Sequence, residues 1–158
     1  MNRFEFQITM LQQGAEELEK KIANFTVNLL QIKTAAIAIW TATMGWSFSI
    51  KSAPIILVGY VVIISFWFLE AFYWRVQYSC IRKASVLTEY LNNQKALDES
   101  FENESMPEGL VYPLQPLKSE PQVSLSKALR APSLAIFYGL LLAATSTILV
   151  ITNSVKSL

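Results

Sequence analysis

The sequence predicts an all-α integral membrane protein with three transmembrane helices, an N-terminal amphipathic helix, a cytosolic extension of the second span, and assembly as a homo-oligomer. Apolar stretches run about Val27–Ile50, Pro54–Trp74 and Pro132–Asn153. Each holds the ~20 apolar residues that a helix rising ~1.5 Å per residue needs to cross ~30 Å of hydrocarbon. Hydrophobic side chains make up 53% of the 158 residues, outside the usual soluble range. Bases flank the spans while acids gather between the second and third, so the net charge of +1 conveys little.

In chain order the sequence divides into a cytosolic amphipathic arm (1–27), a first span (28–50), a second span (54–75), a helical stalk (76–97), an acidic, proline-rich loop (98–122), a short helix (123–131), a third span (132–153) and a tail (154–158). The first apolar run follows an arm that carries Glu5, Glu16, Glu17 and Glu19. The first span, rather than a signal peptide, is therefore expected to direct insertion. With Cys80 the single cysteine and no histidine, an internal disulfide, a Cys/His zinc site and an imidazole triad are excluded. Glu70 is the only acid within a span, so no nucleophile and base can be clustered there, and we expect neither enzyme activity nor a cofactor.

Of the 13 Lys and Arg, all except Lys51 and Lys156 fall on one side of the spans. The positive-inside rule then places the N-terminus in the cytoplasm and the C-terminus in the periplasm of a bacterial inner membrane. That topology puts the glycosylation-like triplets at Asn24 and Asn103 on the wrong side, so we read them as chance matches.

The arm repeats apolar residues at Phe4, Ile8, Leu11, Ala15, Leu18, Ile22 and Phe25, alternating steps of four and three. This is the spacing of a helical seam. Acids crowd its polar face, where a helix lying on lipid would carry bases. The arm is expected to pack on protein, either the same arm of other subunits or the helix after span two, and to run on into span one. A second register follows: Asn28, Gln31, Ala35, Ala38, Ala42, Gly45 and Ser49. Small residues let membrane helices approach closely, and Asn and Gln bond across interfaces. This seam suits either packing within one subunit or an oligomer interface and pore lining, with Thr34, Thr41 and Ser47 widening its polar side. Ala135, Gly139, Ala143 and Thr147 form a similar stripe on span three.

Lys33 and Glu70 lie almost equally far in sequence from the turn near Ser52. In an antiparallel hairpin they share a depth, and an ion pair between them, within a subunit or between neighbours, offsets the cost of a carboxylate in hydrocarbon. The alternative is that both side chains reach separately to headgroup water. Trp67, Tyr73, Trp74 and Tyr78 read as an aromatic belt at that interface. Arg75, Arg82, Lys83, Lys127 and Arg130 are the candidates for contact with lipid phosphates or another anionic ligand. Residues 98–121 combine acids with Pro107, Pro113, Pro116 and Pro121 and read as extended chain, with Leu110, Val111, Tyr112, Leu114 and Leu117 available to lie in a groove.

The stretch Trp67-Phe68-Leu69-Glu70-Ala71-Phe72-Tyr73, followed by Tyr78 and Arg82-Lys83, resembles small bacterial transmembrane effectors found beside nucleotidyltransferases in antiphage operons, including the Hailong type, and is similar to SLATT effectors. The match is confined to residues 67–83, and the acid of this stretch is more often Asp, so Glu70 departs from it. The resemblance implies an oligomeric inner-membrane pore, held shut until infection, opened by a nucleotide or oligonucleotide made by a partner nucleotidyltransferase, and causing depolarisation. The leading expectation is such a channel-like effector with the lipid bilayer and copies of itself as partners. The alternative is a non-conducting scaffold or accessory subunit that recruits a partner through the arm and proline-rich loop.

Overall fold

The computed structural model describes residues 2–50, 52–107, 110 and 123–156. Its secondary structure among these is helical: α1 (Arg3–Ile50), α2 (Ala53–Leu91), α3 (Gln94–Glu102), α4 (Leu125–Leu129) and α5 (Pro132–Lys156). Stretches of α1, α2 and α5 are long and apolar enough to cross a membrane. They separate into two units, an arm–stalk unit of residues 1–26 and 76–123 and a membrane bundle of 27–75 and 124–158, with α1 and α2 each contributing to both.

In the membrane bundle the buried positions recur at helical spacing on each span: Ala36, Met44 and Ser47 on α1, Ile56, Ile63 and Glu70-Ala71 on α2, and Leu134, Tyr138 and Thr145 on α5. Pairings along the helices set their directions. Lys33 meets Glu70, while Met44 fills the space beside Gly59, so α1 and α2 run antiparallel. Trp40 bonds Thr145 while Lys33 lies over the Phe137 ring, so α5 runs parallel to α1. The outer surface keeps Leu30, Trp46, Val61, Ile136 and Leu140 open, Leu140 at 68% exposure. So many exposed large apolar side chains suit hydrocarbon rather than water.

Gly59 makes room for side chains of both neighbouring spans. A Cβ there would run into Met44 Cε and stand 3.7 Å from Thr145 Cγ2. Met44 is flexible at its end, so Gly59→Ala should be tolerated, whereas Gly59→Val should cost about 1–3 kcal/mol through overpacking. Unfolding in a denaturing detergent titration measures both, and equal stability of the two variants would place the contact elsewhere.

The arm–stalk unit is an antiparallel pairing of the arm with residues 76–103. Gln77 Nε2 donates to Thr26 Oγ1 at 2.8 Å, Leu11 packs with Leu87 and Tyr90, and Phe4 meets Phe101 edge-on at 5.5 Å. Asn2 Nδ2 closes the far end on Glu104 Oε2 at 2.9 Å.

Here the structure corrects the expected boundaries. The stalk stops at Leu91 rather than continuing to residue 97, although no glycine or proline intervenes. The Asn pair is responsible. Asn92 donates back to Thr88 O from both its backbone N–H and its side-chain Nδ2, and Asn93 caps α3 by accepting from Ala96 N, so the pair closes one helix and opens the next. Residues 98–102, expected in the loop, complete α3 because Ser100 turns inward to accept the Tyr90 hydroxyl at 2.9 Å, alongside Ala96 and Leu97. Glu104 then takes the left-handed conformation, φ 45°, that ends many helices. Of the apolar residues expected in the loop, Leu110 is buried against Leu11, Leu87 and Tyr90. Val111, Tyr112, Leu114 and Leu117 lie outside the described residues, as do Pro113, Pro116 and Pro121.

Candidate functional site

The α2 helix carries one carboxylate into the middle of the bundle. Glu70 lies ~25 Å along α2 from Ala53, and Tyr138 ~9 Å along α5 from Pro132, at ~1.5 Å per residue. Because α2 runs against α5, both lengths reach the same level, nearer the end at which α5 starts. Glu70 has no solvent exposure.

Each carboxylate oxygen has its own partner, drawn from a different span. Tyr138 donates its hydroxyl to Oε2 at 2.8 Å, and Lys33 Nζ stands 3.0 Å from Oε1. The lysine meets Oε1 as a charge rather than as an aligned donor, since no hydrogen bond ends on that oxygen among the described residues. The structure thus brings Lys33 and Glu70 together within one chain, and adds Tyr138. Lys33 keeps 27% exposure of its side chain while Glu70 has none, so the lysine is the member that reaches the surface of the bundle. Its ammonium also lies 5.7 Å from the Phe137 ring centroid, a cation–π contact.

The surroundings hold the cluster in place. Trp67 stacks on Tyr138 at 5.9 Å and donates its indole N–H to Leu129 O at 3.2 Å, which ties α2 to α4 and α5. Trp67, half-buried, therefore packs on the bundle core. Further along, Trp40 Nε1 donates to Thr145 Oγ1 at 2.8 Å and Tyr60 bonds Ser146 at 2.7 Å. Both hydroxyls also donate to carbonyls one turn back on α5, which leaves their lone pairs free for these contacts. Ser47, on the polar side of the α1 register, turns inward and donates to Ser52 O.

The small-residue register of α1 is not the face that packs inside the chain. Gln31, Ala38, Ala42, Gly45 and Ser49 are exposed and Asn28 and Ala35 half-buried. Nothing in the chain stands within 4 Å of a Cβ built on Gly45 or on Gly139. The stripe on α5 behaves alike, with Ala143 and Thr147 exposed. Of the two uses expected of these stripes, close packing inside the subunit is therefore left with the half-buried Asn28, Ala35, Ala135 and Gly139. The large residues Trp40, Met44 and Tyr138 make the internal contacts instead, filling space that small residues would leave empty.

The arm seam takes the opposite course. Phe4, Leu11 and Leu18 are buried, and Ile8, Ala15, Ile22 and Phe25 half-buried. The occupant is the stalk of the same chain, where Ala15, Leu18 and Ile22 face Ala84, Leu87 and Leu91 across a groove of ≈ 250 Å³.

Among the candidate bases, Lys127 and Arg130 share one groove of the bundle with Trp74. Arg75 is half-buried in the same unit. Arg82, exposed, and Lys83, half-buried, belong to the arm–stalk unit.

Tyr138 and Gly59 were the site residues that sequence patterns passed over. Tyr138 is the lone tyrosine of α5, and counting residues inward from Pro132 puts it at the depth of Glu70. That count is the signal that would have found it. No protein-family model, curated protein or solved structure matches the chain.

Proposed function

We propose that this protein is a homo-oligomeric, channel-like effector of the bacterial inner membrane, with its N-terminus cytoplasmic, its C-terminus periplasmic and no catalytic role. The observation that carries this reading is the outward face of α1. A helix that turns Ala36, Met44 and Ser47 into its own bundle presents Gln31, Ala38, Ala42, Gly45 and Ser49 outward, beside the exposed Leu30, Ile37 and Trp46. Small side chains gain little from lipid but allow close approach of another helix, and Gln31 and Ser49 can bond to a neighbour or to water. In an oligomer this register surrounds an axis narrow enough to gate by constriction and wetting.

Lys33, Glu70 and Tyr138 make each subunit's three spans one piece, so that subunits move as units. The docked arm either restrains the pore or helps build it. In keeping with the resemblance at residues 67–83, opening follows a nucleotide or oligonucleotide signal from a partner nucleotidyltransferase during phage infection, and depolarisation stops growth.

Membrane potential in bacteria expressing the full chain, or a chain lacking residues 2–25, tests this. One of the two should depolarise the cell. Ala38→Leu and Gly45→Leu should insert normally and abolish that depolarisation, since bulk on this face fills the axis. Undiminished depolarisation by both variants would remove α1 from the pore. Polarised cells with every form inserted would shift the weight to a non-conducting scaffold.

A further inference from the structure

Apart from Glu70, residues 27–75 and 124–158 contain no Asp or Glu. That one carboxylate is fully buried and engaged by Lys33 and Tyr138. The membrane bundle therefore offers no counter-charge to Lys127 and Arg130, both exposed. These two cations line a single groove of ≈ 370 Å³ together with Trp74, Ser126, Ala131 and Pro132. The local sequence explains why they converge. Ser124 caps α4, whose Leu125, Ala128 and Leu129 pack on the bundle core, which turns Ser126, Lys127 and Arg130 to the other side. Arg130 ends α4, and Pro132 begins α5 with the fixed φ that suits a first helical residue.

The groove also lies at a defined level. Pro132 is where the apolar run of α5 starts, so the polar side of the groove meets the headgroup layer and its Ala131–Pro132 side meets the start of hydrocarbon. A tryptophan beside two cations at such a boundary is the usual composition of a headgroup contact. A volume of ≈ 370 Å³ falls within the ~300–1,000 Å³ of small-molecule sites and is ample for a phosphodiester with its glycerol.

We propose that the Trp74–Lys127–Arg130 groove binds the phosphodiester of an anionic phospholipid headgroup. Lys127 and Arg130 supply the charge and the fork of donors, Ser126 lines the polar side, and the indole covers the glycerol. An aqueous nucleotide is a poorer occupant, because the groove contains no amide or carboxylate side chain to read a base. The inference stands independently of whether the chain conducts.

The test titrates the detergent-solubilised full chain with phosphatidylglycerol or phosphatidylcholine of equal acyl chains and counts retained lipid by native mass spectrometry. Phosphatidylglycerol should be retained at about tenfold lower concentration. Lys127→Gln/Arg130→Gln should erase that preference, while Lys127→Arg/Arg130→Lys and Lys95→Gln should keep it. Helix content by circular dichroism confirms that each variant is folded. Equal retention of the two lipids by the wild-type chain, or an unchanged preference in the double Gln variant, would overturn the proposal. Inorganic phosphate and a nucleoside monophosphate should fail to displace phosphatidylglycerol. Displacement by either would assign the groove to a soluble anion instead of a lipid.

Discussion

Lys33→Met should destabilise the membrane bundle by about 3 kcal/mol, the lower end of the cost of breaking a buried ion pair. The loss falls on Glu70, which has no exposure and would keep only the Tyr138 hydroxyl. Glu70→Gln should cost less, about 1–2 kcal/mol. The amide keeps the volume and still accepts from Tyr138, and Lys33, 27% exposed, can carry its charge along its stem toward the headgroups. Removing the whole cluster as Lys33→Met/Glu70→Leu/Tyr138→Phe should be close to neutral, because no polar group is then left unpaired in hydrocarbon. Reversible unfolding in mixed micelles ranks the variants. A larger loss for Glu70→Gln than for Lys33→Met would make the lysine the stranded charge. A vanishing coupling energy between the two positions would remove the ion pair from the forces that hold the bundle.

Leu18→Asp should open the arm–stalk unit and leave the membrane bundle folded. Leu18 is 6% exposed and faces Ala84, Leu87 and Leu91. Losing a buried leucine costs about 2–5 kcal/mol, and a carboxylate in its place must also be desolvated or exposed. Both penalties favour lifting the arm off, so amide exchange over residues 3–26 and 76–91 should accelerate by at least ~100-fold. Gln12→Asp, on the exposed side of the same helix, should change exchange by less than ~3-fold, as surface substitutions usually do. Similar protection in both variants would mean that the stalk does not hold the arm. Under the proposed function Leu18→Asp also separates the two roles of the arm. Undocking raises depolarisation if the arm restrains the pore and abolishes it if the arm builds it.

Much of the architecture was legible where water is the reference. The apolar length of α1, α2 and α5 depends only on the thickness of hydrocarbon, so it is read directly from residues 27–50, 54–74 and 132–153. The buried side of the arm was legible too, because Phe4, Leu11 and Leu18 repeat against a charged face and only one side can leave water. The nearness of Lys33 and Glu70 followed from their almost equal distance to the turn. The stop at Leu91 and the helix through Glu102 were less legible, because caps on Asn92 and Asn93 and the Tyr90–Ser100 bond outweigh a composition that favours loop.

Within the spans the sequence determined that the helices are long and apolar enough to cross a membrane and that Lys33 and Glu70 share a level along them. Only the tertiary structure decided which face of each helix meets its own chain. A lipid tail and a protein core are equally apolar, so periodicity does not separate them, and packing geometry makes the choice. It placed Trp40, Met44 and Tyr138 inside, with Gly59 making room, and Ala38, Ala42 and Gly45 outside. It also gave Glu70 its second partner, since a hydroxyl on α5 reaches a carboxylate on α2 only after the antiparallel spans have set their register.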